Sequence, residues 1–574
     1  MKYEIKRFDG GGRIGLITHN GKQLVTPNLL PVVSPFDNII PPKELYSEFG
    51  IHALFTNAYI LYNNVKHANS ARQQGIHSYL EYPGLIATDS GAFQHYMYGK
   101  SENISAEEIE GFQEEIKADF PVILDIPVQL TDTKQIAFEK VTQTLSRAND
   151  NVNRRTSEHG AWYGPLHGTL YLDVLKKSCE GMNSLEFGVY AIGGIVKALN
   201  DYAFDVCIDV LLTVKKYIRK DKPIHMFGLG LPQFFSLAVA AGADLMDSAA
   251  YVLFAKEGRY FTLEGTRHIS DLTELPCSCP ICISHTAQEI NSLFKERLPE
   301  KTEIIQNKGI ELISRHNLYV SMGELKSIRE AIRSGNLWEF VEQRIQSHPK
   351  LIKAYQKIPL YWKDLETQIP IEKKKGKFLK GAVSFSQPIF YRTTHKILNL
   401  YRISNHSTIL LLPEFGESLL NSSYGREWID GVERIKTISP DNIEPLIISS
   451  YFGIIPLDLY GIYPFSQREW VEPPQTNSLH FSKMMNFSQD SKFYHPLNLI
   501  LSFLQKNHEC ISQVKILRPN SQIDIYNQEI PLAYHFVDDV ITILKEKSKE
   551  IFCSDIKIEV FNSLEDWKMN KETG

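Results

Sequence analysis

The chain has 574 residues, 43% of them hydrophobic and 22% charged, which is the make-up of an ordinary soluble globular protein and too long for a single core. A net charge of −5 supplies no overall drive toward nucleic acid, so any such binding has to come from a local basic patch. The opening MKYEIKRFDGGGRIGL has no apolar secretion segment, and no uncharged run of ~20 apolar residues follows it; a cytoplasmic protein without membrane contact is expected.

Residues 1–265 repeat one theme: a short apolar run, a polar or glycine-bearing turn, then a helix-like stretch. The runs are TPNLLPVV (26–33), HALFTNAYIL (52–61), GLIATDSG (84–91), PVILDIP (121–127), WYGPLHG (162–168), FGVYAIGG (187–194), PIHMFGLG (223–230) and DLMDSAAY (244–251). Helical segments such as SAEEIEGFQEEIKAD (105–119) and FEKVTQTLSRANDNVNRR (138–155) lie between them. Alternating strand and helix implies a parallel sheet with helical crossovers, and eight such units point to an α/β fold of the (β/α)8, TIM-barrel type. In that architecture functional groups collect at the C-terminal strand ends, where Asp89, Asp125, His167, Gly193, Gly194, Gly228, Gly230 and Asp247 fall.

Three of the seven cysteines cluster as Cys277, Cys279 and Cys282, while Cys179, Cys207, Cys510 and Cys553 scatter and are expected to be inert buried thiols. Three thiolates on one short loop suit a structural zinc ion that needs a fourth ligand. His316, placed before a helix, would tie that loop to a distant element and gain folding energy; His285 is the nearer alternative. The helix after His316 carries Leu325, Ile328 and Ile332 on one face and a basic stripe of Lys326, Arg329 and Arg333 beside it. Lys256, Arg259 and Arg267 add positive charge beyond the Asp247 strand; these six could hold nucleic-acid phosphates without reading sequence.

The expected organisation is a catalytic barrel over 1–265, a zinc-binding subdomain over 266–345 that completes it, and a helical linker over 346–375. A smaller α/β domain then spans 376–489 and a small α+β domain 490–574.

TDSGAFQ (88–94), VILDIP (122–127), AIGG (191–194), FGLG (227–230), DLMDSAAYVLFAKEGRYFT (244–262), LPCSCPIC (276–283) and RHNLYVS (315–321) together resemble the archaeal tRNA-guanine transglycosylase family, in that family's order over about residues 10–345. The resemblance implies exchange of the guanine at position 15 of the tRNA D-arm for the free base preQ0, the first step toward archaeosine. It implies that Asp247 is the nucleophile, that Asp89 is the general acid/base and that Asp125 is the carboxylate recognising the base. The loop at Ala191, Gly193 and Gly194 would contact the base and Phe93 would stack on it. Ser90, Gln94, Phe227 and Gly228 complete the expected binding set. Cys277, Cys279, Cys282 and His316 match the family's zinc ligands, one ion per subunit.

Two carboxylates in different environments suit a double displacement at a ribose C1′, one attacking carbon and the other moving a proton. His167 stands where the family usually has Gln, and a neutral imidazole cannot present an amide's paired donor and acceptor. The family tends to form homodimers through the zinc region. No PUA-type RNA-binding domain is recognisable in 490–574, which suggests a separate polypeptide for that role or altered tRNA engagement. STILLLPEFGES (407–418) replaces the Pro-Cys and Lys-Pro-Tyr signature of the paralogous archaeosine synthases. The alternatives are a transglycosylase acting on DNA, a synthase-like paralogue, and a non-catalytic tRNA-binding subunit.

Overall fold

The computed structural model describes residues 1–92, 104–295, 307–373, 376–414, 423–438, 442–466, 468–471, 496–518, 531–553 and 555–562. Two units divide the chain, Met1–Lys357 and Ile358–Gly574; the division falls inside the stretch expected as a helical linker.

The first unit opens with an antiparallel sheet of β1 (Lys2–Asp9), β2 (Gly12–His19) and β3 (Lys22–Thr26), which the strand–helix reading of 1–265 missed. Its signal was local. Asn20-Gly21 joins β2 to β3 with φ of +47° and +74°, the tight hairpin turn that Asn-Gly favours.

Seven of the eight expected runs then contain a strand, and the run 121–127 overlaps one only at Pro121: β4 (Asn28–Pro31), β5 (Ala53–Asn57), β6 (Leu85–Asp89), β7 (Phe120–Pro121), β8 (Tyr163–Leu166), β9 (Val189–Ile192), β10 (Ile224–Met226) and β11 (Leu245–Ser248). They pair in two parallel groups, β4-β11-β10-β9-β8 and β5-β6-β7. Single parallel bridges join Val32 to Phe55 and Val122 to Tyr163 at the ends of the groups. β7 is much shorter than the expected 121–127 because the amides beyond it bond to side chains. Leu124 N–H donates to Glu110 Oε1 and Ile126 N–H to Thr144 Oγ1, so neither is left for a neighbouring strand. β5 also stops short of its run, since the Asn57 side chain caps the helix Ala58–Tyr62 by accepting from Ile60 N–H.

Alternate strand residues share one core: Leu30, Ala53, Phe55, Leu85, Ala87, Phe120, Val122, Tyr163, Val189, Ala191 and Leu245 pack together with Ile17 and Leu24 of the antiparallel sheet. The two-residue period of a strand therefore sends one face of every strand inward. Arg13 of β2 locks that sheet to the start of β11. Its guanidinium donates to both oxygens of Asp244 at 2.8 and 2.7 Å, with both residues almost fully buried.

β12 (Arg259–Thr262), β13 (Gly265–His268) and the helix Lys308–Ser334 follow. His316 lies within this helix rather than before it. Leu325, Ile328 and Ile332 are buried along one of its faces, as the spacing predicts.

In the second unit, β14 (Lys377–Lys380) pairs with β18 (Arg468–Val471), and a five-stranded sheet runs β17-β16-β15-β19-β20. Its strands are β15 (Ser407–Pro413), β16 (Asn442–Ser449), β17 (Gly453–Pro456), β19 (Ile511–Leu517) and β20 (Lys557–Phe561). The boundary expected at 489/490 cuts through this sheet: β15 pairs with β19 from Thr408–Gln513 to Leu411–Ile516, and residues from both sides share one core. Segments 376–489 and 490–574 thus build one α/β layer. Ile409 to Leu412 are buried in an unbroken row, as a parallel strand covered on both faces requires. Among the described residues no helix is long and apolar enough to cross a membrane.

Candidate active site and metal centre

Strand parity decides which side chains meet. Leu245 belongs to the inner core, so Asp247, two residues on, faces the same interior at the C-terminal end of β11. By the same count Leu85 and Ala87 put Asp89 on that interior face at the end of β6, and Ala53 and Phe55 do so for Asn57.

Asp247 Oδ1 accepts from His225 Nε2 at 3.0 Å and from Gly228 N–H at 3.0 Å. Gly228 has φ +76°, and a Cβ there would stand 2.7 Å from Val196; only glycine turns this amide toward the carboxylate without strain. Among the described residues no donor reaches Oδ2, and the side chain is 14% exposed, within reach of a ligand. His225 is fully buried, and its Nδ1 lies 2.9 Å from Tyr163 OH. Burial, then the Asp247 charge, holds the Tyr163 phenol well above its usual range, so it stays protonated. A carboxylate only accepts, so Nε2 of His225 carries the proton toward Asp247 and Tyr163 donates to Nδ1. Phe227 stacks on Tyr163 with centroids 6.0 Å apart and meets Phe55 edge-on, giving the site an aromatic floor.

Asp89 is held differently. Its Oδ2 accepts from Asn57 Nδ2 at 2.7 Å and its Oδ1 from Gly91 N–H at 3.1 Å. Gly91 has φ +92°, and a Cβ would collide with Tyr59 at 2.3 Å. Ser90, expected to touch substrate, is buried and donates to Ile123 O at 2.9 Å; it ties the β6 turn to the chain leaving β7. Phe93 and Gln94 lie outside the described residues.

Asp125 and His167 form a pair, with Nε2 and Oδ2 2.6 Å apart and both side chains buried. The imidazole thus engages the carboxylate rather than standing free as a substitute for an amide. Its Nδ1 is buried and has no partner among the described residues. Gly193 packs against this ring, where a Cβ would come 2.4 Å from Cε1. Gly194, at φ +75°, passes so close to Val128 O that a Cβ would meet it at 2.2 Å. Ala191 is not at the rim: it is fully buried in the inner core between Pro165 and His225.

Asn57, Tyr163 and His225 escaped the sequence analysis. Each carried a signal, a polar side chain at an inward position of an otherwise apolar strand.

The metal centre gathers Cys277, Cys279, Cys282 and His316, whose ligand atoms all lie within 4.8 Å of one another. His316 Nδ1 is 3.5 Å from Cys279 Sγ and 3.3 Å from Cys282 Sγ. Its Nε2 is 2.9 Å from Phe261 O, the outer bond that fixes a histidine's tautomer for ligation. Tyr260 stacks on the imidazole at 3.6 Å. His285 bonds to Ile281 O instead and stands outside the group. Four such donors can hold a metal ion and leave no protein ligand position open.

The basic residues divide. Lys256, Arg267, Lys326 and Arg333 are exposed, with Arg333 paired to Glu330. Arg259 lies over Phe254 at 3.9 Å and donates to Thr266 Oγ1 at 2.9 Å. Arg329 donates to Pro27 O at 2.7 Å, so the stripe is not a uniform cationic face.

The family described as queuine tRNA-ribosyltransferase (TGT) matches residues 9–350. The chain is similar to the tRNA-guanine(15) transglycosylase of Methanococcus maripaludis strain C5, 37% identical over 477 residues, covering 81% of this chain and 69% of the relative. The protein of that name from Methanocaldococcus jannaschii is 36% identical over 479 residues, covering 82% and 68%. The one from Pyrococcus abyssi is 38% identical over 396 residues, covering 69% and 65%. Two inward carboxylates at strand ends, a Cys3His centre and this breadth of similarity agree: the chain belongs to the queuine tRNA-ribosyltransferase (TGT) family.

Proposed function

We propose that the chain is a tRNA-guanine transglycosylase, a pentosyltransferase that replaces guanine 15 of tRNA by preQ0 in archaeosine biosynthesis. Position 15 follows the name its relatives carry. The observation that carries the mechanism is the unlike setting of two carboxylates on one interior face. Asp247 has one oxygen bound by two donors and, among the described residues, none at the other, the state of a poised nucleophile; Asp89 has a donor at each oxygen.

In the first displacement Asp247 Oδ2 bonds to C1′ as the C1′–N bond breaks, and the departing guanine takes a proton from Asp89. In the second, Asp89 takes the proton of the incoming base, whose nitrogen bonds to C1′ as the Asp247 carboxylate leaves. Asp125, held by His167, accepts from the N–H groups of the base edge, and the Gly193-Gly194 backbone lines its approach.

The two strand groups form one closed (β/α)8 ring; the support is the pair of bridges at their ends and the shared inner core. The Cys3His group holds structural zinc, which the donor set and the Phe261 bond to His316 favour. Ile283, an exposed apolar side chain on the short helix that carries Cys282, supports a homodimer contact there.

The test is exchange of labelled guanine into purified tRNA by the full chain and by Asp247→Ala. Exchange that disappears in the variant is expected. Exchange into DNA alone, or tRNA binding without exchange, refutes the reading.

A further inference from the structure

Behind Asp247 the polar groups run in line: Oδ1, then His225 Nε2 at 3.0 Å, then Tyr163 OH at 2.9 Å from His225 Nδ1. The His225 ring is sheathed by Phe55, Tyr163 and Phe227, with centroids 5.9, 5.4 and 5.0 Å away. A buried imidazole is costly unless both nitrogens are bonded, and here both are. Gly228 N–H supplies a second donor to the same carboxylate oxygen, while Oδ2 has none among the described residues.

Resting on the assignment of Asp247 as nucleophile, we propose that His225, held by Tyr163, is a positioning residue whose Nε2–H receives the charge that returns to Asp247 when its carboxylate leaves C1′. The argument is one of charge. Once Oδ2 bonds to C1′, the carboxylate becomes an ester whose carbonyl oxygen is Oδ1. That oxygen is a weaker acceptor than a carboxylate oxygen, so His225 and Gly228 favour the free carboxylate over the ester. They aim Oδ2 at the sugar, restrain its attack, and assist its departure. In the second displacement the incoming nitrogen bonds to C1′, the Oδ2–C1′ bond breaks, and its electron pair returns to the carboxylate against these two donors. The covalent intermediate is thereby kept short-lived.

The experiment mixes the full-length protein with a 5′-labelled, unmodified tRNA transcript, denatures samples to count covalently bound label, then adds guanine and follows its release. Covalent label surviving in Asp247→Ala overturns the nucleophile assignment itself; its loss there supports that assignment, and the His225 variants then decide the inference. His225→Met, which removes the donor, is expected to slow release on guanine addition about tenfold or more while ester still forms. His225→Gln, which keeps an N–H donor, is expected to recover most of the release rate. Wild-type release in His225→Met, reduced ester with unchanged release, or a glutamine variant no better than methionine overturns the inference. If His225→Met fails to fold, Tyr163→Phe, which deletes one oxygen, decides it: release slowed several-fold supports the inference and unchanged release overturns it.

Discussion

Gly193→Ala probes how the Asp125–His167 pair is held. The backbone at Gly193 is outside the positive-φ region, so alanine meets no conformational barrier and acts only through its methyl group. That methyl would stand 2.4 Å from His167 Cε1 and 3.0 Å from Nδ1, whereas carbon atoms pack at about 3.5–4.0 Å. The ring has to retreat by about 1 Å, and a bond that starts at 2.6 Å does not survive that displacement as a strong one. Losing a hydrogen bond to a charged group costs about 1.5–3 kcal/mol, equivalent to about a ten- to hundredfold change in binding. The KM for free guanine in the exchange assay should rise by that factor. In a His167→Ala background the methyl finds room, so the two substitutions should be strongly non-additive. A wild-type KM for Gly193→Ala, or two effects that simply add, would refute the steric argument.

Asp89→Asn keeps the side chain's size, sets an NH2 against one of the two donors that Asn57 and Gly91 present, and removes the proposed proton carrier; exchange should fall about 10²–10⁴-fold, with tRNA affinity by filter binding little changed. Elemental analysis should find one zinc per chain, lost in His316→Ala together with a lower melting temperature. Asp119 is almost fully buried. Burial works against its charge, but His77, Asn20 and Lys22 outweigh that and hold it at about 2, below its usual 3.8. A depressed carboxylate stabilises the fold fully above about pH 4 and loses that contribution as pH falls toward 2, about 2 kcal/mol in all. Acid titration of Asp119→Asn should therefore show a shallower fall in stability over that window. Asp244→Asn leaves Arg13 buried without its counter-charge and should destabilise the first unit by about 3–5 kcal/mol in denaturant unfolding.

The strand ends were legible because periodicity is local. Asp89 and Asp247 each follow an apolar run whose alternation states which way the last side chain points. The centre made of Cys277, Cys279, Cys282 and His316 was legible because thiolate chemistry constrains spacing tightly. What escaped depends on contacts between distant segments. His225 looks like any core residue until Tyr163 and Asp247 arrive from other strands. Ser90 and Ala191 sit in the right motifs, yet one is spent on Ile123 O and the other on packing. The pairing of β15 with β19 joins residues about a hundred positions apart, and no local pattern announces it. The Asn20-Gly21 hairpin was readable, but the stronger strand–helix rhythm masked it.

The antiparallel sheet at the start of the chain gives the first unit two unlike ends. Ile17 and Leu24 pack among the inward side chains of the parallel strands, and Arg13 fastens their sheet to Asp244 at the start of β11. Asp89 and Asp247 stand at the opposite, C-terminal ends of β6 and β11. On the proposed mechanism both bases would come and go on the carboxylate side, and the ribosyl–Asp247 bond would hold the RNA while they change places.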